Sequence, residues 1–132
     1  MGTGLGGYDT EALRAFFVEH GLALGSGDLE VLADRFDPHA LMVLAEESVP
    51  LTNPDQVHDV LRRHAGAPGH AGAVALVPEV THSSELGWAL LWVEVRWSLR
   101  DELAAERSSR HVRYLLRRHR GTFDVCVVVP LV

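Results

Sequence analysis

The sequence predicts an α+β domain in which three N-terminal helices pack on one face of a curved, mainly antiparallel sheet. Apolar residues recur at helical spacing in the first part of the chain, whereas from "AVALVPEVTH" onwards their period is two. The 132 residues suit one domain with its own core. We therefore expect a single domain over residues 8–132, preceded by a flexible Gly-rich segment at residues 1–7.

Each of the three predicted helices has a recognisable boundary. The first starts in "YDTEAL" and runs to about Leu24, where "GSGD" interrupts it. The second is "DLEVLADRF", and Pro38 disfavours its continuation. The third is "TNPDQVHDVLRRH", with Asn53 as its cap, Pro54 at the first position and Gln56 at the third.

The strands fall into two short segments and a longer run. "ALMVLA" predicts a short strand, and "EESVPL" predicts a second strand or a turn. "AVALVPEVTH" contains Pro78, which indicates a bulge or a sheet edge, and "SSEL" is expected to turn. "GWALLWVEVRWSL", "RSSRHVRYLLRRH" and "TFDVCVVVPLV" complete a predicted four-strand antiparallel meander.

Composition and charge exclude several classes of function. The net charge of −6 argues against general nucleic-acid binding, although residues 96–132 carry 8 Arg against 4 acidic residues. The single cysteine, Cys126, rules out an internal disulfide and fits a reducing compartment. The chain shows neither a secretion signal nor an apolar run of membrane-spanning length. We therefore expect a cytoplasmic protein without a nucleic-acid or membrane partner.

One polar residue interrupts the apolar face of the first helix. Leu13, Phe16, Phe17 and Leu24 share a face at helical spacing, and His20 lies in its middle. Burial in such a setting favours the neutral imidazole, which suits a hydrogen-bond donor or a general base. The alternative is a core histidine bonded to a backbone carbonyl or a neighbouring side chain.

The order of these segments resembles the nuclear-transport-factor-2-like superfamily and, within it, the SnoaL-like proteins. The similarity is carried by "GSGDLEVLADRFDPHA", "TNPDQVHDVL" and the closing strands "WALLWVEVRWSL" and "RHVRYLLRRHRGTFDVCVVV", and it covers about residues 8 to 130. It implies a cone-shaped, cystatin-like fold. In that fold the sheet curls around the first helix and leaves a pocket at the wide end of the cone.

The resemblance also implies roles for individual residues. His20 corresponds to the oxyanion-binding tyrosine of a ketosteroid isomerase of the superfamily. The position of the catalytic base is occupied by Leu44, and the second oxyanion acid falls near Arg113. Neither replacement can perform the original chemistry, so steroid-type isomerisation is not expected. Arg113 is instead expected to hold an anion at the pocket mouth.

Two sets of residues follow as site predictions. The first is a ligand pocket, with His20 as the candidate catalytic residue, lined by Phe16, Phe17, His20, Leu44, Leu91, Val93, Val95, Trp97, Arg113 and Cys126. The second is an apolar outer sheet face that suits a two-fold homodimer, formed by Trp88, Leu90, Trp92, Glu94 and Arg96. No metal or other cofactor is predicted, because the histidines lack convergent ligand spacing.

Three functions remain open on the sequence. The first is a protein that binds a small hydrophobic molecule in an apolar pocket without the usual catalytic carboxylates. The second is an isomerase, cyclase or dehydratase acting on a hydrophobic ketone, with His20 as acid–base and an inward carboxylate from Glu46, Glu47 or Glu79. The third is a dimeric scaffold or partner-binding module with a filled pocket.

Overall fold

The computed structural model describes residues 7–60, 75–119 and 121–131, which form three helices and six strands. The helices are α1 (Gly7–Ser26), α2 (Leu29–Asp34) and α3 (Pro54–Val60). The strands are β1 (Phe36–Val43), β2 (Ser48–Pro50), β3 (Ala75–Leu86), β4 (Leu90–Arg100), β5 (Glu106–His119) and β6 (Thr122–Leu131). Of the segment expected to be flexible, residues 1–6 lie outside the described residues, and Gly7 begins α1.

The six strands form one mixed sheet in the order β2-β1-β6-β5-β4-β3. Strands β3 to β6 are the predicted antiparallel meander, and β1 joins it by parallel pairing with β6. Helix α3 follows β1 and β2 in the chain, in the order that the sequence predicted for these segments. The sheet is therefore mixed, and its only parallel pair among the described strands joins its two halves.

The predicted break between the first two helices is a glycine-terminated cap. Gly27 has φ +71°, a left-handed conformation that most side chains disfavour. This turn lets the Asp28 amide donate to the Ala23 carbonyl at 3.1 Å, as in a Schellman motif. The Asp28 carboxylate then accepts from the Val31 amide and caps α2. One short segment thus ends α1 and starts α2.

The predicted cap of the third helix is confirmed. Asn53 Oδ1 accepts from the Gln56 amide at 2.9 Å, and the Gln56 side chain accepts from the Thr52 amide at 2.9 Å. These bonds satisfy amides that the first turn of a helix leaves without intrahelical partners. The helix is described as far as Val60, and the predicted continuation through residues 61–64 lies outside the described residues.

Two strand boundaries differ from the prediction. Strand β1 starts at Phe36, before Pro38, because the Val125 amide donates to the Arg35 carbonyl at 2.7 Å and parallel pairing with β6 begins there. "SSEL" is not a turn but the end of β3, and the chain reverses at residues 87–89. Pro78 lies on an edge strand, as predicted, where its missing amide costs no ladder bond.

Helix α1 covers one face of the curved sheet, and the core lies between them. The buried residues of β4 alternate with half-buried ones, as the predicted period requires. Gly21 marks the closest approach of α1 to the sheet, because a Cβ there would lie 2.9 Å from the Trp97 ring and 3.0 Å from the Leu76 carbonyl oxygen. The core side chains at this contact include Leu13, Phe16, Phe17, Leu91, Val93, Val95 and Trp97.

Candidate ligand-binding cavity

A cavity of about 110 Å³ opens between α1, α3 and the inner face of the sheet. It is small beside the roughly 300–1,000 Å³ of a drug-sized ligand site. An engineered apolar cavity of about 150 Å³ holds benzene, so a single aromatic ring is the upper limit for the part of a ligand that enters this one. Its described lining is His20, Leu24, Phe36, Met42, Leu51, Val57, Val60, Leu76, Trp97, Leu99, Arg110, His111, Val112, Tyr114, Val128, Pro130 and Leu131.

His20 projects from α1 into an aromatic surrounding and is only 3% exposed. Its ring stacks on Phe16, with the two centroids 6.0 Å apart. Phe36, Trp97 and Tyr114 surround it with ring centroids 6.0 to 6.2 Å away. Nδ1 is buried and has no hydrogen-bond partner among the described residues. The imidazole therefore keeps an unsatisfied polar atom, and the His20 side chain as a whole lines the cavity.

The protein environment keeps this imidazole neutral. Burial, together with the positive charge of Arg35, lowers the pKa of His20 from 6.5 to about 3. The Arg35 guanidinium lies over the Phe16 ring, 4.7 Å from its centroid, and forms an ion pair with Glu19 at 2.8 Å. A base with this pKa is a weak proton acceptor near neutral pH. The geometry therefore favours His20 as a hydrogen-bonding group over His20 as a general base.

A buried tryptophan–tyrosine pair also lines the cavity. Trp97 Nε1 donates to Tyr114 Oη at 2.9 Å, and burial raises the pKa of Tyr114 above its usual value. The hydroxyl keeps its proton and finds no acceptor for it among the described residues. Sequence reasoning missed Tyr114, although the alternation of Arg110, Val112 and Tyr114 along β5 was the available signal.

Most of the predicted pocket residues lie elsewhere in the core. Phe16, Phe17, Leu91, Val93 and Val95 are fully buried, and none of them lines the cavity. The Phe17 ring packs 4.9 Å from Tyr114 and 5.1 Å from Phe16, so aromatic side chains fill the sheet's inner face there. Of the predicted pocket, the cavity brings together only His20 and Trp97.

The remaining three predicted pocket residues also lie away from the cavity. Arg113 projects from the outer face of β5 and forms an ion pair with Glu94 at 3.1 Å, because a strand alternates its side chains and Tyr114 takes the inward position. Cys126 is half-buried, and burial raises the pKa of its thiol. The charge of Arg117 lowers this pKa, and the charges of Asp37 and Asp124 raise it. Leu44 follows the end of β1 and does not reach the cavity.

The carboxylates that an enzyme of this fold would need do not reach the cavity. Glu46 and Glu47 are exposed in the turn between β1 and β2. Glu79 is exposed on β3 and pairs in register with Arg96, away from the inner face. The described lining contains no Asp or Glu. Within residues 7–60, 75–119 and 121–131 no three His, Cys, Asp or Glu side chains cluster as metal ligands.

The predicted dimer residues lie on the outer side of β4 and in the turn before it. Trp88 is 83% exposed in that turn, whereas Leu90, Trp92, Glu94 and Arg96 are half-buried on the strand. The two charged members have partners within the chain. Glu94 pairs with Arg113 and lies 3.7 Å from His111 Nδ1, and Arg96 pairs with Glu106 at 2.6 Å. Both ion pairs therefore join the neighbouring strands β4 and β5 within one chain.

The helices that the structure describes do not combine the length and hydropathy of a membrane span. The fold is that of a cystatin-like α+β protein, with a helix laid across a curved mixed sheet. The chain belongs to the family described as "NTF2-like protein (DUF6841)", whose pattern matches residues 10–131. The match confirms the superfamily resemblance, and it names no SnoaL-like relationship. A search of curated proteins finds no match.

Solved structures share this fold at low sequence identity. A cystatin-like protein of unknown function from Nostoc punctiforme is 11% identical, with a TM-score of 0.69 over 97% of this chain and 93% of its own. Aln2 from a Streptomyces species is 15% identical, with a TM-score of 0.70 over 98% and 94%. An NTF-2-like protein of unknown function from Shewanella oneidensis is 10% identical, with a TM-score of 0.66 over 92% and 98%. These likenesses support the fold alone.

Proposed function

We propose that the protein binds a small, largely apolar molecule in the cavity beside His20 and that it does so without catalytic carboxylates. The observation that carries the proposal is an apolar cavity lined by His20, a buried imidazole whose Nδ1 has no hydrogen-bond partner among the described residues. A buried polar atom without a hydrogen bond costs about 1–3 kcal/mol of stability. His20 is thus kept in the cavity lining at a cost in stability, which favours a role for it in binding.

The lining supports an apolar ring as the body of the ligand. Of its seventeen described residues, all but His20, Arg110 and His111 are apolar or aromatic. The polar groups that could orient a ligand at depth are the His20 imidazole and the Tyr114 hydroxyl. An apolar cavity with a few converging polar groups is the usual composition of a small-molecule site.

The enzymatic alternative has less support. It needs an inward carboxylate, and Glu46, Glu47 and Glu79 are all exposed away from the cavity. It also needs an imidazole that takes up protons at working pH, whereas the pKa of His20 lies near 3. The scaffold alternative requires a filled interior, and the cavity argues against it.

We further propose that the outer sheet face pairs two copies of the chain. Trp88 projects almost fully into solvent, and Trp92 and Leu90 lie beside it with part of their surface open. A contiguous exposed apolar surface of this kind favours association. The dimer leaves the cavity accessible, because the cavity opens on the other face of the sheet.

Binding of hydrocinnamamide, a neutral molecule with a phenyl ring and a short chain, tests the proposal. We expect calorimetric titration to show saturable binding to the wild-type protein and none to Val128→Phe, whose larger side chain fills the cavity. Val129→Phe is the matched control, since Val129 lies next in β6 and pairs in register with the outward Arg113. Binding that survives in Val128→Phe, or that is absent from wild type, would overturn the proposal.

A further inference from the structure

We infer that the ligand carries one carboxylate, or a similar single negative charge, and that Arg110 at the cavity rim binds it. This inference rests on the proposed function and narrows it from an apolar molecule to a small apolar acid. It departs from the sequence, which pointed to Arg113 as the anion-binding residue.

The arginines of β5 differ in whether they form an ion pair. Four of the five described arginines of this strand pair with a carboxylate: Arg107 with Asp101, Arg113 with Glu94, Arg117 with Asp37 and Arg118 with Glu85. Arg110 has no such partner within the described part of the chain. Its guanidinium is thus the cation on this strand that an external anion can engage without displacing an acidic side chain.

The strand alternation places this arginine at the cavity. Arg110, Val112 and Tyr114 follow one another at intervals of two on β5, and all three line the cavity. Arg110 is exposed and Tyr114 is buried, so the strand runs from the rim into the interior. The Cα atoms of these two residues are about 13 Å apart at an ordinary strand rise. A ring with a short chain and a terminal acid fits that span.

Other charges at the rim do not compete for the anion. Among the described lining residues, His111 is the other rim residue with an ionisable side chain, and it lies beside Glu94. The described lining contains no carboxylate that would repel an acid. Guanidinium groups bind carboxylates through two parallel hydrogen bonds, which gives the rim both attraction and orientation.

Hydrocinnamate and hydrocinnamamide provide a matched pair of probes, because they differ mainly in charge. We expect calorimetric titration at low salt to show that wild type binds the acid about tenfold more tightly than the amide. Arg110→Gln should bring the two affinities together by weakening binding of the acid. Added salt should also reduce the preference of wild type, because part of it arises from a solvent-exposed charge.

Arg107→Gln is the control variant, since it removes an equal charge from the same end of β5 outside the cavity lining. Arg107→Gln should keep the tenfold preference for the acid. If Arg107→Gln and Arg110→Gln lost this preference equally, the role of Arg110 would be overturned. Equal affinity of wild type for acid and amide would overturn the ligand class and leave the proposed function standing. Absence of binding by either probe would overturn the proposed function itself.

Discussion

At the residue scale, His20 combines a cost in stability with a place at the cavity. An imidazole that lies among Phe16, Phe36 and Trp97 with Nδ1 unpartnered is less favourable there than an apolar side chain of similar size. Functional sites often retain such residues at the expense of stability. The unpaired nitrogen is therefore an argument for ligand binding that a well-bonded core histidine would not provide.

We expect His20→Leu to raise the free energy of unfolding by about 1 kcal/mol at pH 8, because it removes an unsatisfied buried polar group. The gain should widen as pH falls below 6.5. The folded pKa of about 3 lies below the unfolded value of 6.5, so only unfolded wild type takes up the proton in this range. The widening should be on the order of 1 kcal/mol per pH unit. Urea unfolding at pH 8, 6 and 5 measures both effects.

A difference between the variant and wild type that stays constant from pH 8 to pH 5 would contradict this expectation. It would mean that the folded protein protonates His20 as readily as the unfolded chain does. A loss of stability at pH 8 would instead show that the imidazole has a hydrogen-bond partner in solution.

Gly21 and Gly25 give a second prediction at this scale. Gly21→Ala should destabilise the protein by about 1–3 kcal/mol, because the new methyl group meets the Trp97 ring and the Leu76 carbonyl. Gly25→Ala should stabilise it by up to about 1 kcal/mol, since alanine favours the helix and nothing lies within 4 Å of its Cβ. Thermal unfolding compares the two. Equal shifts for both would contradict the close approach of α1.

At the scale of elements, the cavity depends on short segments held by local hydrogen bonds. Helix α3 is described over seven residues, and it supplies Val57 and Val60 to the cavity wall. A helix this short has little intrinsic stability, so its position depends on packing and on its cap. The cap in turn depends on Asn53 and Gln56, whose side chains satisfy the first amides.

We therefore expect Asn53→Ala to lower the free energy of unfolding by about 1 kcal/mol through loss of the cap. Asn53→Asp keeps a side-chain oxygen that accepts from the Gln56 amide, and it should retain most of the stability. Chemical denaturation of the three proteins under one condition makes the comparison. Equal losses in both variants would assign the effect to something other than the cap.

At the scale of the whole molecule, the two faces of the sheet have different surroundings. The inner face is closed by α1 and carries the cavity, whereas the outer face combines the apolar side chains of Trp88, Leu90 and Trp92 with ion pairs on β4 and β5. The proposed ligand binding and the proposed association thus use opposite faces of the sheet. This arrangement lets one function be altered without the other.

We expect wild type to be a dimer in light scattering and Trp92→Glu to be a monomer, because a buried charge in the proposed interface is costly. Trp88→Glu should also weaken the dimer, and its exposed position makes unfolding an implausible cause. Leu22→Glu is the control, since Leu22 is 69% exposed on α1 rather than on the sheet. The interface would be refuted if wild type were a monomer. It would also be refuted if the Trp88→Glu and Trp92→Glu variants both remained dimers.

Much of the architecture was predictable because its signals are local. The apolar periods located the helices and the meander, Asn53 marked the start of α3, and Pro78 marked an edge strand. The early start of β1 was not predictable in the same way. Pro38 argues for a break there, and only pairing of β1 with the distant β6 makes that segment extended.

The candidate site was less predictable than the fold. The interruption of an apolar helix face identified His20, and the family resemblance, which set the parity of β4, placed Trp97 inward. The same reasoning placed Leu91, Val93 and Val95 at the pocket. An alternating pattern separates inward from outward side chains, but it does not show which inward side chains line a cavity and which are packed in the core. Arg113 and Cys126 were placed inward because the register of β5 and β6 was unknown.

The sequence by itself determined the order of elements, the burial of a neutral histidine and the absence of an internal disulfide. These properties follow from spacing, polarity and composition, which act over a few neighbouring residues. Only the tertiary structure decided that Tyr114 and Arg110 share the cavity with His20 and that Arg113 pairs with Glu94 outside it. The physical reason is that strand pairing determines the face and depth of each side chain, and that pairing joins residues far apart in the chain.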